Sequence, residues 1–447
     1  MLFTELINNI ADLYYTTGKG AIDAYTLWSR DFLNFLHVIF DKLFYVFLGI
    51  AVAVSILYYL ISIYGLFAKK KQEDTIPENT LWPSVTVQIP TYNELAALNC
   101  AQRCLDFEYP KEKVQIIMGD DSNKPEISAK IKEFCDANGI LVAKRESNVG
   151  FKPGNLNNML KYSTGDILVL FDSDFLPEKD FLKRIIYPMT KDSSLSAVQA
   201  RWKILNPNTN LVTILGATMS KTFHHLIMPF VQKSGISFLC GSAEAIKKSV
   251  LLELGGWKSG SLTEDIECSL RMHINGNKLK YLETLQCECE VPYTPKDIYK
   301  QQMRWAYGVI SAFKTHLFSV LKTKMSIPQK LSICIFASGY FLSVLLMALF
   351  VFGTLSFITH EPGPIDLAKF FGEFGRNVVL TSGLLFSSLI VVLKDREIKR
   401  IDKVLASSLS FGLVVTYFVN IGILKVMFNQ PMKWYMLNKK GNDVKPC

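Results

Sequence analysis

Several absences narrow the class of this chain before any motif is weighed. Nine cysteines in 447 residues are an odd set without framework spacing, which excludes a disulfide scaffold. The closest pair, Cys287-Glu288-Cys289, has no histidine or second cysteine pair near it, so no zinc site is expected there. The first β-rich run carries no Gly-x-Gly-x-x-Gly, which removes a dinucleotide-binding dehydrogenase from consideration. No basic-aromatic array accompanies the net charge of +9, so anionic headgroups and nucleotides are expected as partners and nucleic acid is not. No basic n-region with an early cleavage site is visible, and the first apolar run therefore reads as an anchor.

What is present is a 49% hydrophobic composition gathered into a few long runs. Residues 43–67 are uncharged, and at ~1.5 Å per helical residue they exceed the ~30 Å hydrocarbon core. Residues 331–358, 377–393 and 404 to 418 or 428 give three more expected spans. Lys69-Lys70-Lys71 and the basic residues between Lys394 and Lys403 place the large central segment in the cytosol, at the plasma membrane. The expected organisation is an outer segment 1–42, a span 43–67, a cytosolic domain 68–310, an interfacial helix 311–330, a membrane region 331–428 and a tail 429–447. Three spans after the domain would leave that tail outside, yet Lys433, Lys439, Lys440 and Lys445 favour the inside. A broken or re-entrant last segment around Asn420-Ile421-Gly422 would reconcile the two.

Within the central segment, β-rich runs at 85–89, 114–118, 140–143, 167–171 and 197–200 alternate with helical stretches at 94–105, 125–138 and from near Asn155. That alternation predicts a parallel sheet covered on both faces, with ligands beyond the carboxyl ends of its strands. The polar motifs sit at those ends. Pro90-Thr91-Tyr92-Asn93-Glu94 follows the first strand and Gly119-Asp120-Asp121-Ser122 the second, each a common turn composition and together a candidate nucleoside pocket. The fourth strand ends in Asp172-Ser173-Asp174. Residues i and i+2 share a side of an extended chain, so two repelling carboxylates converge, and a hard divalent cation is their economical partner. Lys152, in Gly150-Phe151-Lys152-Pro153-Gly154-Asn155, would add positive charge at a diphosphate, although an isolated Gly-rich turn is a weak signal.

Two further motifs have plain structural readings. Ser261-Leu262-Thr263-Glu264 fits a capping box, which leaves Asp265 over as a candidate general base. Gln301-Gln302-Met303-Arg304-Trp305 fits an amphipathic helix end, with Trp305 at the lipid interface and Arg304 reaching water.

Taken in order, these motifs resemble the membrane-embedded family 2 glycosyltransferases, which include cellulose, hyaluronan and chitin synthases and mannan-synthase-like proteins. Val198-Gln199-Ala200-Arg201-Trp202 is similar to the mannan branch and Phe238-Leu239-Cys240-Gly241-Ser242 to bacterial cellulose synthase. The resemblance implies a GT-A type α/β domain with a mostly parallel sheet, joined to transmembrane and interfacial helices. It implies an inverting transfer from a UDP-sugar, UDP-glucose first, with Mg2+ or Mn2+, to a growing β-linked polysaccharide. By the same analogy Thr91, Tyr92, Glu94, Asp120, Asp121, Lys152, Asn155, Asp172, Gln301 and Arg304 hold the nucleotide sugar, and Asp174 with Asp172 holds the metal. Asp265, beside Thr263 and Glu264, is the base; Cys240, Gly241 and Trp305 meet the acceptor. The family's gating segment, Phe-x-Val-Thr-x-Lys, has an echo in residues 434–441. A lipid acceptor, such as diacylglycerol or a polyprenyl phosphate, is the alternative, and a non-catalytic nucleotide-sugar domain is a third reading.

Overall fold

The computed structural model describes residues 19–68, 71–72, 74–360, 366–395 and 397–438. It divides into two compact units, Met1–Ile56 with Val344–Gly383 and Leu57–Ser343 with Leu384–Cys447. After a long helix, α1 (Lys19–Phe67), the chain enters β1 (Val85–Thr91), α2 (Ala96–Leu105), β2 (Val114–Asp120), α3 (Pro125–Ala137), β3 (Leu141–Lys144), α4 (Phe151–Leu160) and β4 (Ile167–Leu170). This is the predicted alternation with two corrections. Glu94 lies outside α2, in a turn where Asn93 takes φ 55°. α4 starts at Phe151 instead of near Asn155, because Gly150 at φ 77° supplies a left-handed entry that most residues resist.

The second half continues through α5 (Phe181–Lys191), β5 (Leu195–Ile204), α6 (Leu211–Thr222), a π turn at Phe223–Ile227, α7 (Met228–Gln232), β6 (Glu244–Lys247), α8 (Lys248–Glu253), α9 (Glu264–Ile274) and β7 (Lys278–Cys289). The periodicity does not announce β6, only four residues long, or β7, whose polar and apolar residues mix. All seven strands form one sheet in the order β3-β2-β1-β4-β6-β5-β7. β1 is parallel to β2 and β4, whereas β6 is antiparallel to both β4 and β5. Apolar clusters cover both faces, one around Val87, Val169 and Phe181, the other around Leu168, Leu156 and Met272. With each face buried, the exposed chemistry is left to the strand ends.

Register between β1 and β4 depends on one close approach. A Cβ on Gly165 would stand 2.4 Å from both Thr86 N and Val85 C, backbone atoms that cannot swing aside. Gly165→Ala is expected to destabilise the domain by about 1–3 kcal/mol or more, the usual cost of overpacking, read as a lowered melting temperature in detergent.

The remaining helices are α10 (Pro295–Lys322), α11 (Ile327–Thr359), α12 (Leu367–Thr381), α13 (Gly383–Lys394) and α14 (Ile401–Met427). α10 is capped by Thr294, which accepts from the Asp297 amide at 3.2 Å, and it holds the Gln301 to Trp305 motif inside one continuous helix. Among the described residues three segments are long and apolar enough to cross a membrane: Ser29–Phe67, Ile327–Thr359 and Ile398–Met427. The expected third span is instead the bent pair α12 and α13, angled by 63°. In the first unit α1 and α11 lie side by side, with Phe47 stacked on Phe352 at 5.4 Å.

α14 is apolar, yet both its ends belong to the sheet-bearing unit. At its start Arg400 donates to the Pro207 carbonyl at 2.9 Å, and Val404 packs on Ile214 and Val392. At its end Lys314 on α10 donates to the Val426 carbonyl at 3.0 Å, while Tyr299 stacks on Phe418 at 5.2 Å. Gly422 sits so close that a Cβ would lie 2.5 Å from the Met303 carbonyl oxygen. The following residues return to the sheet: the Tyr435 hydroxyl donates to Asp297 at 3.0 Å, and Trp434 meets Tyr92 edge-on at 5.6 Å. Of the basic residues weighed in the tail, Lys439, Lys440 and Lys445 lie outside the described residues, as do Lys69 and Lys70.

Candidate active site at the strand ends

Lys152 is the cation around which the site is built. It enters from the first turn of α4, and its ammonium lies 2.8 Å from Asp172, 2.9 Å from Glu264 and 2.6 Å from the Gly241 carbonyl that accepts from it. Three motifs far apart in sequence thus meet on one nitrogen. Burial alone would pull the ammonium down, but Asp172, Glu264 and Glu244 together hold it above its usual range.

Asp172 and Asp174 are both partly exposed, while Ser173 between them is buried and donates to Glu94. The chain is not extended here as expected: β4 ends at Leu170, and Asp172 to Phe175 form a turn closed by the Phe175 amide, which donates to the Asp172 carbonyl at 3.1 Å. The Asp172 amide is fixed by Ser242 Oγ at 2.9 Å, and Asp174 accepts from the Glu290 amide at 3.4 Å. Among the described residues no group of three or more His, Cys, Asp or Glu forms a metal cluster. Two neighbouring carboxylates fit a hard cation whose other ligands are water and phosphate oxygens.

The capping box does not form. Thr263 is the N-cap of α9 without a side-chain bond, and Glu264 turns to Lys152 instead of back to Ser261. The competing attraction is ionic, which outweighs a neutral cap bond. Asp265, in the first turn and buried, is pushed up to about 7 by burial first and by Glu264 next, with Lys152 opposing. α9 is seated on α10 by Glu267, 2.9 Å from His316, and by Gly308, where a Cβ would come within 2.5 Å of Thr263. This seating brings Arg304 to the Leu262 carbonyl, to which it donates at 3.3 Å. Trp305 lies 6.4 Å from Trp202, and Gln301 accepts from Gln302 at 3.5 Å.

At the end of β2 both aspartates have partners within the protein. Asp120 is buried and accepts from the Ser122 amide at 2.9 Å and from Ser128 Oγ. Asp121 is gripped by Arg145 through two nitrogens, and burial raises its pKa despite that partner. Arg145 also donates to the Val149 carbonyl at 2.8 Å and to the Phe151 carbonyl at 3.2 Å, so it joins Asp121 to the Lys152 loop. Asn155 is buried and donates to the Gly119 carbonyl at 2.8 Å. Thr91 donates to the Glu94 carbonyl at 3.1 Å, and Tyr92 remains half-buried under Trp434.

Arg145 and Glu244 were not among the residues singled out from the sequence, and Gln199 and Trp202 were noted there only as part of a motif, without a role. Glu244 had one signal: it is the lone charge in the run Ile236-Ser-Phe-Leu-Cys-Gly-Ser-Ala-Glu-Ala-Ile246. Cys240, half-buried beside it, has its thiol raised by burial and then by Asp265.

With this geometry in place the relatives can be assigned. Residues 83–308 match the family model described as Glycosyltransferase like family 2, half of the chain. The chain is a family 2 glycosyltransferase. It is 32% identical over 258 residues to a probable glucomannan 4-beta-mannosyltransferase 9 of Oryza sativa, covering 55% of this chain and 49% of that protein. Against glucomannan 4-beta-mannosyltransferase 9 of Arabidopsis thaliana it is 31% identical over 286 residues, 59% of this chain and 53% of that one. The chain thus spans about half the length of the curated relatives it matches. In fold it is similar to a mannosyltransferase of Pyrobaculum calidifontis in complex with GDP-Man and Mn2+, with TM-score 0.61 and 18% identity over 89% of this chain and all of the other. The glycosyltransferase carries the expected GT-A-like α/β fold with a mostly parallel seven-stranded sheet.

Proposed function

We propose that this glycosyltransferase moves a hexose from a nucleotide sugar, with inversion, to the end of a growing β-linked glycan. The observation that carries the reading is the convergence on Lys152 of Asp172, Gly241 and the Asp265-bearing end of α9. Asp265 takes the proton of the acceptor hydroxyl as that oxygen bonds to the anomeric carbon and the bond to the diphosphate breaks. The electron pair of that bond leaves with the nucleoside diphosphate, and Lys152 and Arg304 stabilise the charge. Attack from the side opposite the leaving group inverts the anomeric centre. Asp172 and Asp174 would hold Mg2+ or Mn2+, whose chemistry is to add positive charge at the diphosphate. Thr91, Tyr92, Glu94 and Gln301 line the nucleotide side, and Asp120, Asp121 and Asn155 support its wall from within. Cys240, Gly241 and Trp305 form the acceptor side.

The mannosyltransferase relatives favour GDP-mannose as the first donor to test, ahead of the UDP-glucose suggested by the Phe-Leu-Cys-Gly-Ser resemblance. We further read α14 as lying along the membrane surface. With α1, α11 and the bent pair crossing, that arrangement keeps the basic loop after α13 and residues 428–438 with the sheet domain in the cytosol. Membrane fractionation tests the plasma membrane as its location.

The deciding experiment supplies membranes containing the protein with labelled GDP-mannose, UDP-glucose and UDP-N-acetylglucosamine, with and without Mn2+. A polymer that stays aqueous and yields to a β-mannanase is expected from GDP-mannose in the presence of metal. Label that partitions into organic solvent would assign a lipid acceptor instead, and no transfer from any donor would sink the reading.

A further inference from the structure

The turn that carries Cys240 and Gly241 is bent against its own backbone preference. Gly241 sits at φ 84° and Ala243 at φ 53°, and the second is a conformation that a residue with a Cβ resists. Two buried side chains from adjacent strands hold it there. Glu244 on β6, 0% exposed, accepts from the Cys240 and Gly241 amides through one carboxylate oxygen, at 3.1 and 2.8 Å. Gln199 on β5 accepts from the Cys240 amide at 2.6 Å and donates to the Ser242 and Ala243 carbonyls at 2.9 and 3.2 Å. From the same strand the Trp202 indole donates to the Ser242 carbonyl at 3.2 Å.

The turn reaches three parts of the site. Its Gly241 carbonyl accepts from Lys152 at 2.6 Å, and its Ser242 hydroxyl accepts from the Asp172 amide at 2.9 Å. A Cβ on Gly241 would stand 3.3 Å from Asp265 Oδ2, so the turn backbone packs directly on the proposed base. The reaction described above uses neither Gln199 nor Glu244.

We propose that Gln199 and Glu244 are positioning residues, a buried clamp that fixes turn 240–243 in the shape that presents the acceptor to Asp265. Together they set acceptor affinity more strongly than nucleotide affinity, because Lys152 keeps its carboxylate partners Asp172 and Glu264 when the Gly241 carbonyl shifts. The inference rests on the reading of Cys240, Gly241 and Trp305 as the acceptor side. It also gives the Gln-Ala-Arg-Trp motif a task, since Gln199 and Trp202 both end on this turn. Burial first, then Asp265, pushes Glu244 up to about 8. At neutral pH it therefore holds its proton, and glutamine is a close mimic that keeps an accepting oxygen.

The test uses the full chain in detergent, the donor selected by the panel above, and mannotetraose or cellotetraose as acceptor. Glu244→Ala and Gln199→Ala should each raise the acceptor KM about tenfold, as expected for one to two lost hydrogen bonds, with a clearly smaller rise in the nucleotide KM. Glu244→Gln should bring the acceptor KM back near the wild-type value. The double alanine variant should be little worse than either single one, because both side chains hold the same turn. An unchanged acceptor KM in the alanine variants overturns the clamp. So does a parallel rise in nucleotide KM, or a Glu244→Gln variant no better than alanine. If the wild-type protein extends neither oligosaccharide while transferring sugar to lipid, the glycan reading fails and takes the inference with it. An active wild type with indifferent variants sinks the inference alone.

Discussion

Asp265→Asn is expected to lower transfer by about a thousandfold, within the range that a positioned general base contributes, while nucleotide affinity stays close to that of the wild type. Asparagine fills the same space and keeps the packing against Gly241, but it cannot accept the proton of the acceptor hydroxyl. The pH dependence follows with a definite sign. Burial and Glu264 hold Asp265 up at about 7, and a base works in its deprotonated form. The wild-type kcat/KM should therefore fall tenfold per pH unit below about 7 and level off above it. Steady-state rates from pH 5 to 9, with nucleotide binding followed separately by calorimetry, check both statements. A variant as active as the wild type would remove Asp265 from the mechanism. A flat acid limb in the wild type would remove its role as the titrating base.

Lys152→Met should have the next largest effect, and on two readouts together. Methionine keeps most of the apolar stem and discards the charge that holds Asp172, Glu264 and the Gly241 carbonyl. Glu264 is buried and would be left without its cation, whereas Asp172 is one-third exposed and regains water. Breaking a buried pair costs about 3–5 kcal/mol, and the partly exposed half places this one near the lower end. The expected result is a lower melting temperature and loss of nucleotide-sugar binding. Lys152→Arg should recover stability better than binding, since a planar fork cannot reproduce a point charge between three acceptors. If Lys152→Met bound donor as tightly as the wild type, Lys152 would have no part in the donor site.

The fold was legible where each element declares itself locally. The run 167–171 is apolar on both faces, so its buried strand was readable, whereas the partly exposed Asp172 and Asp174 owe their placement to a turn after Leu170 that strand alternation does not describe. Lys152 could be picked out by its Gly-rich loop. Its partners could not, because Asp172, Gly241 and Glu264 lie tens of residues away, and an ion pair leaves no periodicity in a sequence. The capping box failed for that reason: a motif read over four residues lost to a charge brought in from α4. The protein partners of Asp120 and Asp121 were likewise out of reach of a local reading, since Ser128 and Arg145 approach their carboxylates from later in the chain. α14 has the apolar length expected of a span, and its contacts with Pro207, Ile214, Met303 and Lys314, which no local pattern shows, tie both its ends to the sheet-bearing unit.

Composition and periodicity by themselves determined long apolar runs and a domain of alternating parallel strands and helices, because burial patterns are local, repeating signals, and the glycosyltransferase family came from the resemblance of the ordered motifs. Only the tertiary structure decided which groups share a charge and which carboxylates are spent inside the protein. The reason is physical: electrostatic and hydrogen-bond partners are chosen by distance in space. Around Lys152 and the strained turn at Gly241, that distance is set by the packing of α4, β5, β6 and α9, which no stretch of sequence contains.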